Sequence, residues 1–119
     1  MNKRLALLCA VLFALATATF AQDAAKVDPS HYKVEFENDR VRILHFHYGA
    51  GEKSVMHSHP DSVAVFLTDG KVKFTMPDGK TQDATGKAGS TLFTPAQVHL
   101  PQNVGTEAVD GYVIELKGK

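Results

Sequence analysis

The chain has 119 residues, with 13 lysine and arginine and 13 aspartate and glutamate side chains, so its formal net charge at pH 7 is zero. This length accommodates one small domain. A balanced charge provides no basic surface of the kind that contacts nucleic acid, and that class of partner is excluded.

Residues 1–21 have the layout of a secretory signal peptide. Lys3 and Arg4 form a basic start, an apolar run covers residues 5–16, and small residues lead to a cleavage point. The alternative, a membrane anchor, requires about 18–20 apolar residues, more than this run contains. Cys9, the only cysteine, follows two leucines, which disfavours a lipoprotein signal. The sequence therefore predicts export to the periplasm or secretion, without a stable membrane anchor.

The mature chain, residues 22–119, retains 11 basic and 13 acidic side chains and no cysteine. Neither a disulfide nor a thiolate ligand is available to it, so the domain is stabilised by its core alone.

The mature chain is predicted to begin with a flexible lead, residues 22–33, and to continue as one domain, residues 34–119. No helical period follows residue 22, and short β-like runs alternate with Gly, Pro and Asp turns. This pattern predicts an all-β sandwich or small barrel. The predicted strands cover residues 41–48, 54–59, 63–68, 71–76, 80–84, 90–94 and 111–116.

The first of these strands contains two histidines that are predicted to face solvent. Its apolar positions change phase between Ile43 and Leu44, which a β-bulge would explain. His45 and His47 then lie on the polar, outward side of the strand, so their spacing is weak evidence for a metal site. His31, in the lead, is also expected to be solvated.

His57 and His59 have the same spacing in a different setting. Residues i and i+2 of a strand point to one face, so the two imidazoles can converge. In the following strand Val63, Val65 and Leu67 would share one face, and if that face is the interior, the histidines lie in an apolar cup. Buried imidazoles need hydrogen-bond partners or a metal, and the spacing alone leaves both alternatives open.

Two stretches of the chain resemble the paired motifs of the cupin superfamily. GEKSVMHSHPDSVAVFLTDG, residues 51–70, resembles the first motif, and GSTLFTPAQVHLPQN, residues 89–103, resembles the second. The resemblance extends over roughly residues 40–116, and the chain is identified as a small single-domain (RmlC-like) member. It implies a double-stranded β-helix barrel of jelly-roll type.

By this resemblance, His57, His59 and His99 are the ligands of one divalent transition metal. Imidazole ligands suit iron, zinc, copper, nickel and manganese, so the ligand type does not choose among them. The sequence departs from the motifs at two places. Val63 and Ala64 stand where a glutamate is usual, and His99 arrives one residue early.

Gln97 stands where the second motif usually has glycine. A regular strand would place it on the same face as His99, so Gln97 is the candidate for a catalytic contact with substrate. Asn103 is expected to have a structural role, and Asp61 is expected to cap a turn. The core is expected to contain the phenylalanines Phe66, Phe74 and Phe93.

Three neutral imidazoles leave the full positive charge of a divalent ion, with coordination positions open to a small-molecule substrate. The resemblance to three-histidine iron cupins implies a metal-dependent oxidoreductase of the dioxygenase type. The alternative is a non-catalytic module that binds a small ligand, a metal or a protein partner. In that version Val63 reflects drift toward an empty apolar cup. Small cupins also commonly form homodimers, for which residues 31–36 are the predicted contact.

Overall fold

The structure is a computed structural model that describes residues 22–118. Its secondary-structure elements in this range are one short helix followed by nine strands, so the domain is all-β. The predicted leader, residues 1–21, lies outside the described residues. Within the described part of the chain, no helix is long and apolar enough to cross a membrane.

Two sheets enclose the core. One has five strands in the order β1-β2-β9-β4-β7, and the other has four in the order β3-β8-β5-β6. Neighbouring strands within each sheet are antiparallel. The elements are α1 (Ala24–Val27), β1 (Tyr32–Glu37), β2 (Val41–Tyr48), β3 (His57–His59), β4 (Ser62–Phe66), β5 (Gly70–Thr75), β6 (Thr81–Gly86), β7 (Thr91–Thr94), β8 (Gln97–Asn103) and β9 (Val109–Leu116).

The core lies between the sheets and is built from alternate residues of the central strands. In β2, Leu44, Phe46 and Tyr48 are buried, and Leu44 is paired with Val113 of β9. Phe66 of β4 packs edge-on against Phe46, with the ring centroids 6.3 Å apart. The period-two alternation predicted from the sequence therefore selects the residues that fill the interior.

The predicted β-bulge in the first long strand is wrong in its position. β2 pairs with β9 without a break from Val41 to Tyr48, and the irregularity lies in the neighbouring strand β1, between Val34 and Phe36. The inward face of β2 begins with Arg42, which pairs with Glu115. The apparent change of phase arises because this inward residue is charged.

Residues 22–33 were expected to form a flexible lead, and the structure instead folds them onto the domain. Asp23 caps α1, since its side chain accepts hydrogen bonds from the backbone N–H groups of Ala25 and Lys26. Ala24 is fully buried, and Tyr32, at the start of β1, is nearly so. A single helical turn is too short to show periodicity, and its stability comes from burial against the sheets.

The expected inward face of the strand after the histidines is also corrected. In β4 the residues that face the interior are Ser62, Ala64 and Phe66, all of which line the central cavity. Val63 is paired with Phe93 of β7, and 58% of Phe93 is exposed. Both therefore lie on the outer face of the sheet, so Phe93 is not a core residue and Val63 is no sign of an empty cup.

Candidate metal centre

His57, His59 and His99 meet at the inner face of the four-stranded sheet. β3 pairs with β8 so that His57 lies directly opposite His99, and His59 follows on the same face. The centroids of the three rings are 4.8 to 5.2 Å apart. All three residues are buried, and one ring nitrogen from each can lie within 4.8 Å of the others. The structure thus brings together the three predicted ligands.

His59 is held by a buried carboxylate. Its Nδ1 lies 2.7 Å from Oε2 of Glu115, which is 3% exposed. Arg42 donates to the other oxygen, Oε1, from Nε at 2.7 Å and approaches it with Nη2 at 2.6 Å. Because a carboxylate paired with arginine accepts hydrogen bonds, Nδ1 of His59 donates to Glu115, which leaves Nε2 as the nitrogen of this ring available to a metal.

His57 is held by its own loop. Its Nδ1 donates to the backbone carbonyl of Val55 at 2.9 Å, and Oγ of Ser54 lies 3.2 Å from the same nitrogen. Nε2 is therefore the nitrogen that accepts. The Tyr32 hydroxyl lies 3.3 Å from it. The Tyr48 hydroxyl donates to the Tyr32 oxygen at 2.7 Å, which leaves the proton of Tyr32 free to point at Nε2 or into the cavity.

Within the described part of the chain, His99 is held only by packing contacts. Its ring lies 4.8 Å from that of Phe74, at an interplanar angle of 33°. Its Nδ1 is buried and has no hydrogen-bond partner within the described part of the chain. A buried imidazole nitrogen without a partner is costly, and a metal ion is one partner that would remove that cost.

The two histidines that face each other across β3 and β8 are neutral at physiological pH. Burial, reinforced by the neighbouring His59, lowers the pKa of His57 to about 4. Burial and the other two imidazoles lower the pKa of His99 to about 3. Neutral imidazole is the form that binds metal, so these two residues can bind a cation without first releasing protons.

The donor set fits a divalent transition metal. Three nitrogen ligands leave coordination positions of the ion open, unlike the four protein ligands of a closed structural zinc site. The hydrogen bond from His59 to Glu115 is the kind of outer contact that fixes the ring of a metal ligand. His57, His59 and His99 are therefore the residues that would hold the ion.

A cavity of about 60 Å³ adjoins the histidines between the two sheets. Within the described residues, none that line it is a lysine, arginine, aspartate or glutamate. Tyr48 belongs to this wall. The lining residues are Tyr32, Phe46, Tyr48, His59, Ser62, Ala64, Phe66, Val72, Phe74, Leu92, Thr94, His99, Pro101 and Val113.

Gln97 lies opposite His59 in the register of β3 and β8. Its side chain lines a second, outer pocket with Phe93 and Pro95, and not the cavity beside the histidines. The two spaces share Phe74, Leu92 and Thr94 in their walls. A contact between Gln97 and substrate stays a prediction.

The polar residues outside the centre follow the sequence analysis with one exception. His45 and His47 lie on the outer face and both contact Oδ1 of Asp110, at 3.1 and 3.0 Å. Asn103 is structural, since its side chain donates to three backbone carbonyls. His31 is not solvated: its side chain is 13% exposed, and its nitrogens contact Asp28 and Glu52.

Sequence reasoning missed Glu115, Arg42 and Tyr32. A signal for Glu115 was present, because the alternation of β9 places Val109, Gly111 and Val113 inward and Glu115 on the same face. Tyr32 carried no comparable signal, since its role depends on the docking of the N-terminal segment.

The metal-free protein is expected to lose stability as the pH falls below 6.5. The unfolded chain protonates His57 and His99 at their ordinary pKa of 6.5, whereas the folded chain protonates them near 4 and 3. The free energy of unfolding therefore contains their full contribution above pH 6.5. It loses that contribution as the pH falls from 6.5 through the folded-state pKa values of about 4 and about 3. The urea midpoint of chelator-treated protein should be lower at about pH 5 than at about pH 7.

A His99→Leu variant should show a weaker pH dependence, and a His47→Gln variant should match the parent. His31 acts in the opposite direction: burial alone would lower its pKa, but Glu52 and Asp28 raise it above 6.5. Its contribution is therefore present below pH 6.5 and is lost as the pH rises through its raised pKa. Equal midpoints at both pH values would contradict the prediction.

Comparison with known proteins shows the same fold. Residues 44–115 match the family model described as Cupin domain. No curated protein matches the chain. A crystal structure of a cupin domain from Bordetella pertussis Tohama I is 24% identical, with a TM-score of 0.67, and the match covers 73% of this chain and 92% of that one.

Two further crystal structures are similar. An RmlC-like cupin family protein with a double-stranded β-helix fold from Methanocaldococcus jannaschii is 17% identical, with a TM-score of 0.59 over 72% of this chain and 78% of that one. A conserved protein with a double-stranded β-helix domain from Klebsiella pneumoniae is 22% identical, with a TM-score of 0.60 over 74% and 76%. At these identities the likeness concerns the fold.

Proposed function

The chain belongs to the cupin domain family, and from this premise we propose that it is an exported protein that binds one divalent transition metal through His57, His59 and His99. The observation that carries the proposal is the convergence of three buried imidazoles in which Nδ1 of His99 has no other partner among the described residues. Export rests on the sequence of residues 1–21.

We further propose that the centre serves a dioxygenase-type reaction on a small molecule. A bound metal of this kind supplies Lewis-acid polarisation and, if it is redox-active, a means of activating dioxygen. The cavity of about 60 Å³ limits the part of the substrate beside the histidines to a few heavy atoms. Its largely apolar wall favours an apolar substrate.

Tyr32 is the residue best placed to contact that substrate. Burial, with the adjacent Tyr48 hydroxyl, raises its pKa well above the usual value, so the Tyr32 oxygen retains its proton at neutral pH. Tyr48 already donates to that oxygen, and a metal held by Nε2 of His57 would occupy the other nearby acceptor, so the Tyr32 proton is then directed toward a substrate oxygen. Gln97, in the outer pocket, would contact a longer substrate at the mouth.

The second candidate function is a non-catalytic module that binds a small ligand, a metal or a protein partner. It is favoured by the absence of any carboxylate among the described residues that line the cavity, because proton abstraction then has no obvious base. An enzyme predicts turnover, whereas a binder predicts stabilisation by ligand without product.

The test of metal binding is the metal content of untagged protein, residues 22–119, purified from the exported fraction. Iron, zinc, copper, nickel and manganese should be quantified per chain. Near-stoichiometric metal would support the proposal, and its identity would separate dioxygen chemistry from Lewis-acid chemistry. Protein that is metal-free and refuses added divalent ions would overturn the metal proposal and leave the binding module.

A homodimer is the third part of the proposal, and the outer face of the five-stranded sheet supports it. One row of directly paired residues crosses all five strands, and both of its ends are exposed phenylalanines, 50% and 58% accessible. The row consists of Phe36, Ile43, Ile114, Val63 and Phe93. A two-fold axis through its centre places phenyl on phenyl, so the row is complementary to a second copy.

Sedimentation of the parent protein should show a dimer. The double variant Phe36→Ser and Phe93→Ser should be a monomer, and a monomeric parent would contradict the proposal.

A further inference from the structure

The N-terminal segment, residues 22–32, docks beside the strand that carries two of the three histidines. The backbone N–H of Ser58 donates to the carbonyl of Gln22 at 2.8 Å, and Asp23 forms a parallel bridge with Ser58. Ser58 is the residue between His57 and His59. The segment therefore extends the edge of β3 at the position where the candidate ligands are placed.

A second connection joins the segment to the histidines through side chains. Nη2 of Arg42 lies 2.7 Å from Oδ2 of Asp23 and 2.6 Å from Oε1 of Glu115. One guanidinium thus contacts two carboxylates, and the second of these, Glu115, holds Nδ1 of His59. The chain Asp23–Arg42–Glu115–His59 is continuous, with each contact at 2.7 Å or less.

We propose that Asp23 is a positioning residue of the metal centre, which acts on His59 through Arg42 and Glu115. The proposal rests on the proposed metal binding. Asp23 does not line the cavity, so it touches neither the ion nor the substrate.

The physical basis is the geometry of the guanidinium. Arginine is planar, and its orientation is defined when different donors of its fork have fixed acceptors. With Asp23 in place, Arg42 is held from two sides and presents Nε and Nη2 to Glu115. Without that carboxylate the guanidinium loses one of its two fixed acceptors. The orientation of Glu115, and with it the ring of His59, is then less restricted.

Linkage requires the effect to be reciprocal. If docking of residues 22–32 favours metal binding, metal binding favours docking by the same factor. The backbone hydrogen bonds of α1, such as those from Val27 to Asp23 and from Asp28 to Ala24, should therefore exchange more slowly when metal is bound.

The experiment uses Asp23→Asn and Co²⁺ as the probe. Asparagine is as good an N-cap as aspartate, so the variant keeps α1 capped and replaces the charged acceptor that faces Arg42 with a neutral NH2 group that cannot accept from it. We expect Asp23→Asn to weaken Co²⁺ binding about tenfold, as loss of an outer contact does. The visible spectrum of bound Co²⁺ should also change. Asp83→Asn, an exposed carboxylate on β6, is the matched control and should behave as the parent.

Hydrogen exchange of residues 24–28, with and without Co²⁺, provides a readout besides affinity. Metal-dependent protection in the parent that is reduced in Asp23→Asn supports the proposal. A folded Asp23→Asn variant that has the Co²⁺ affinity and the visible spectrum of the parent would overturn the proposal for Asp23. The proposed function would then remain intact. A parent protein that binds no Co²⁺ would overturn the proposed function and this inference together.

Discussion

Replacement of His99 with alanine should abolish stoichiometric metal binding. His99 provides one of three nitrogen ligands, and among the described residues no other histidine, cysteine or acid belongs to the same cluster. Loss of an outer hydrogen bond alone weakens metal binding about 10–100-fold, so loss of a direct ligand should weaken it by more than about 100-fold. Metal content and calorimetric titration of the protein comprising residues 22–119 measure the effect.

The thermal midpoint gives a second measure of the same change. Metal at about 100 times its dissociation constant should stabilise the parent by about 2.7 kcal/mol and leave His99→Ala unchanged. His47→Ala is the control, because His47 is an exposed histidine on the outer face whose ring contacts Asp110. Full metal content in His99→Ala would contradict the assignment of this residue as a ligand.

Replacement of Glu115 with glutamine should destabilise the fold and weaken metal binding at once. Glu115 is buried between Arg42 and His59, and both of its oxygens are in use. Removing one partner of a buried ion pair costs about 3–5 kcal/mol, with the lower value expected here because Arg42 retains Asp23. Metal affinity should fall by about 10–100-fold because the Nδ1–H of His59 loses its anionic acceptor.

Urea unfolding and metal titration of Glu115→Gln measure these two effects. The matched control is Glu37→Gln, which removes a carboxylate from an exposed ion pair with Lys117 and should leave both measurements unchanged. A Glu115→Gln protein with the stability and metal affinity of the parent would show that the buried carboxylate supports neither the sheet nor the ligand.

A large part of the fold can be predicted from the sequence, because apolar and polar residues alternate along its strands. The all-β class follows from short runs with period-two alternation, and the structure confirms it. The bulge was placed in the wrong strand because Arg42 was read as an outward residue. Periodicity distinguishes polar from apolar residues, and it cannot show that a charged residue faces inward with a partner.

The position of Val63 shows the same limit. In the sequence Val63, Val65 and Leu67 are the more apolar set of their strand, yet the interior takes Ser62, Ala64 and Phe66. The outer residues of β4, Val63 and Val65, are themselves apolar, so hydrophobicity alone does not choose between the two faces of β4. The register with β9 and β7 decides it.

The sequence by itself determined the double motif, the three candidate ligands and the absence of cysteine from residues 22–119, because these depend on residue type and spacing. Tertiary structure alone decided what surrounds those ligands. Glu115 is distant from His59 in sequence, and the N-terminal segment reaches the centre by docking rather than by any local pattern. Contacts of this kind follow from the pairing of distant strands, which local composition does not encode.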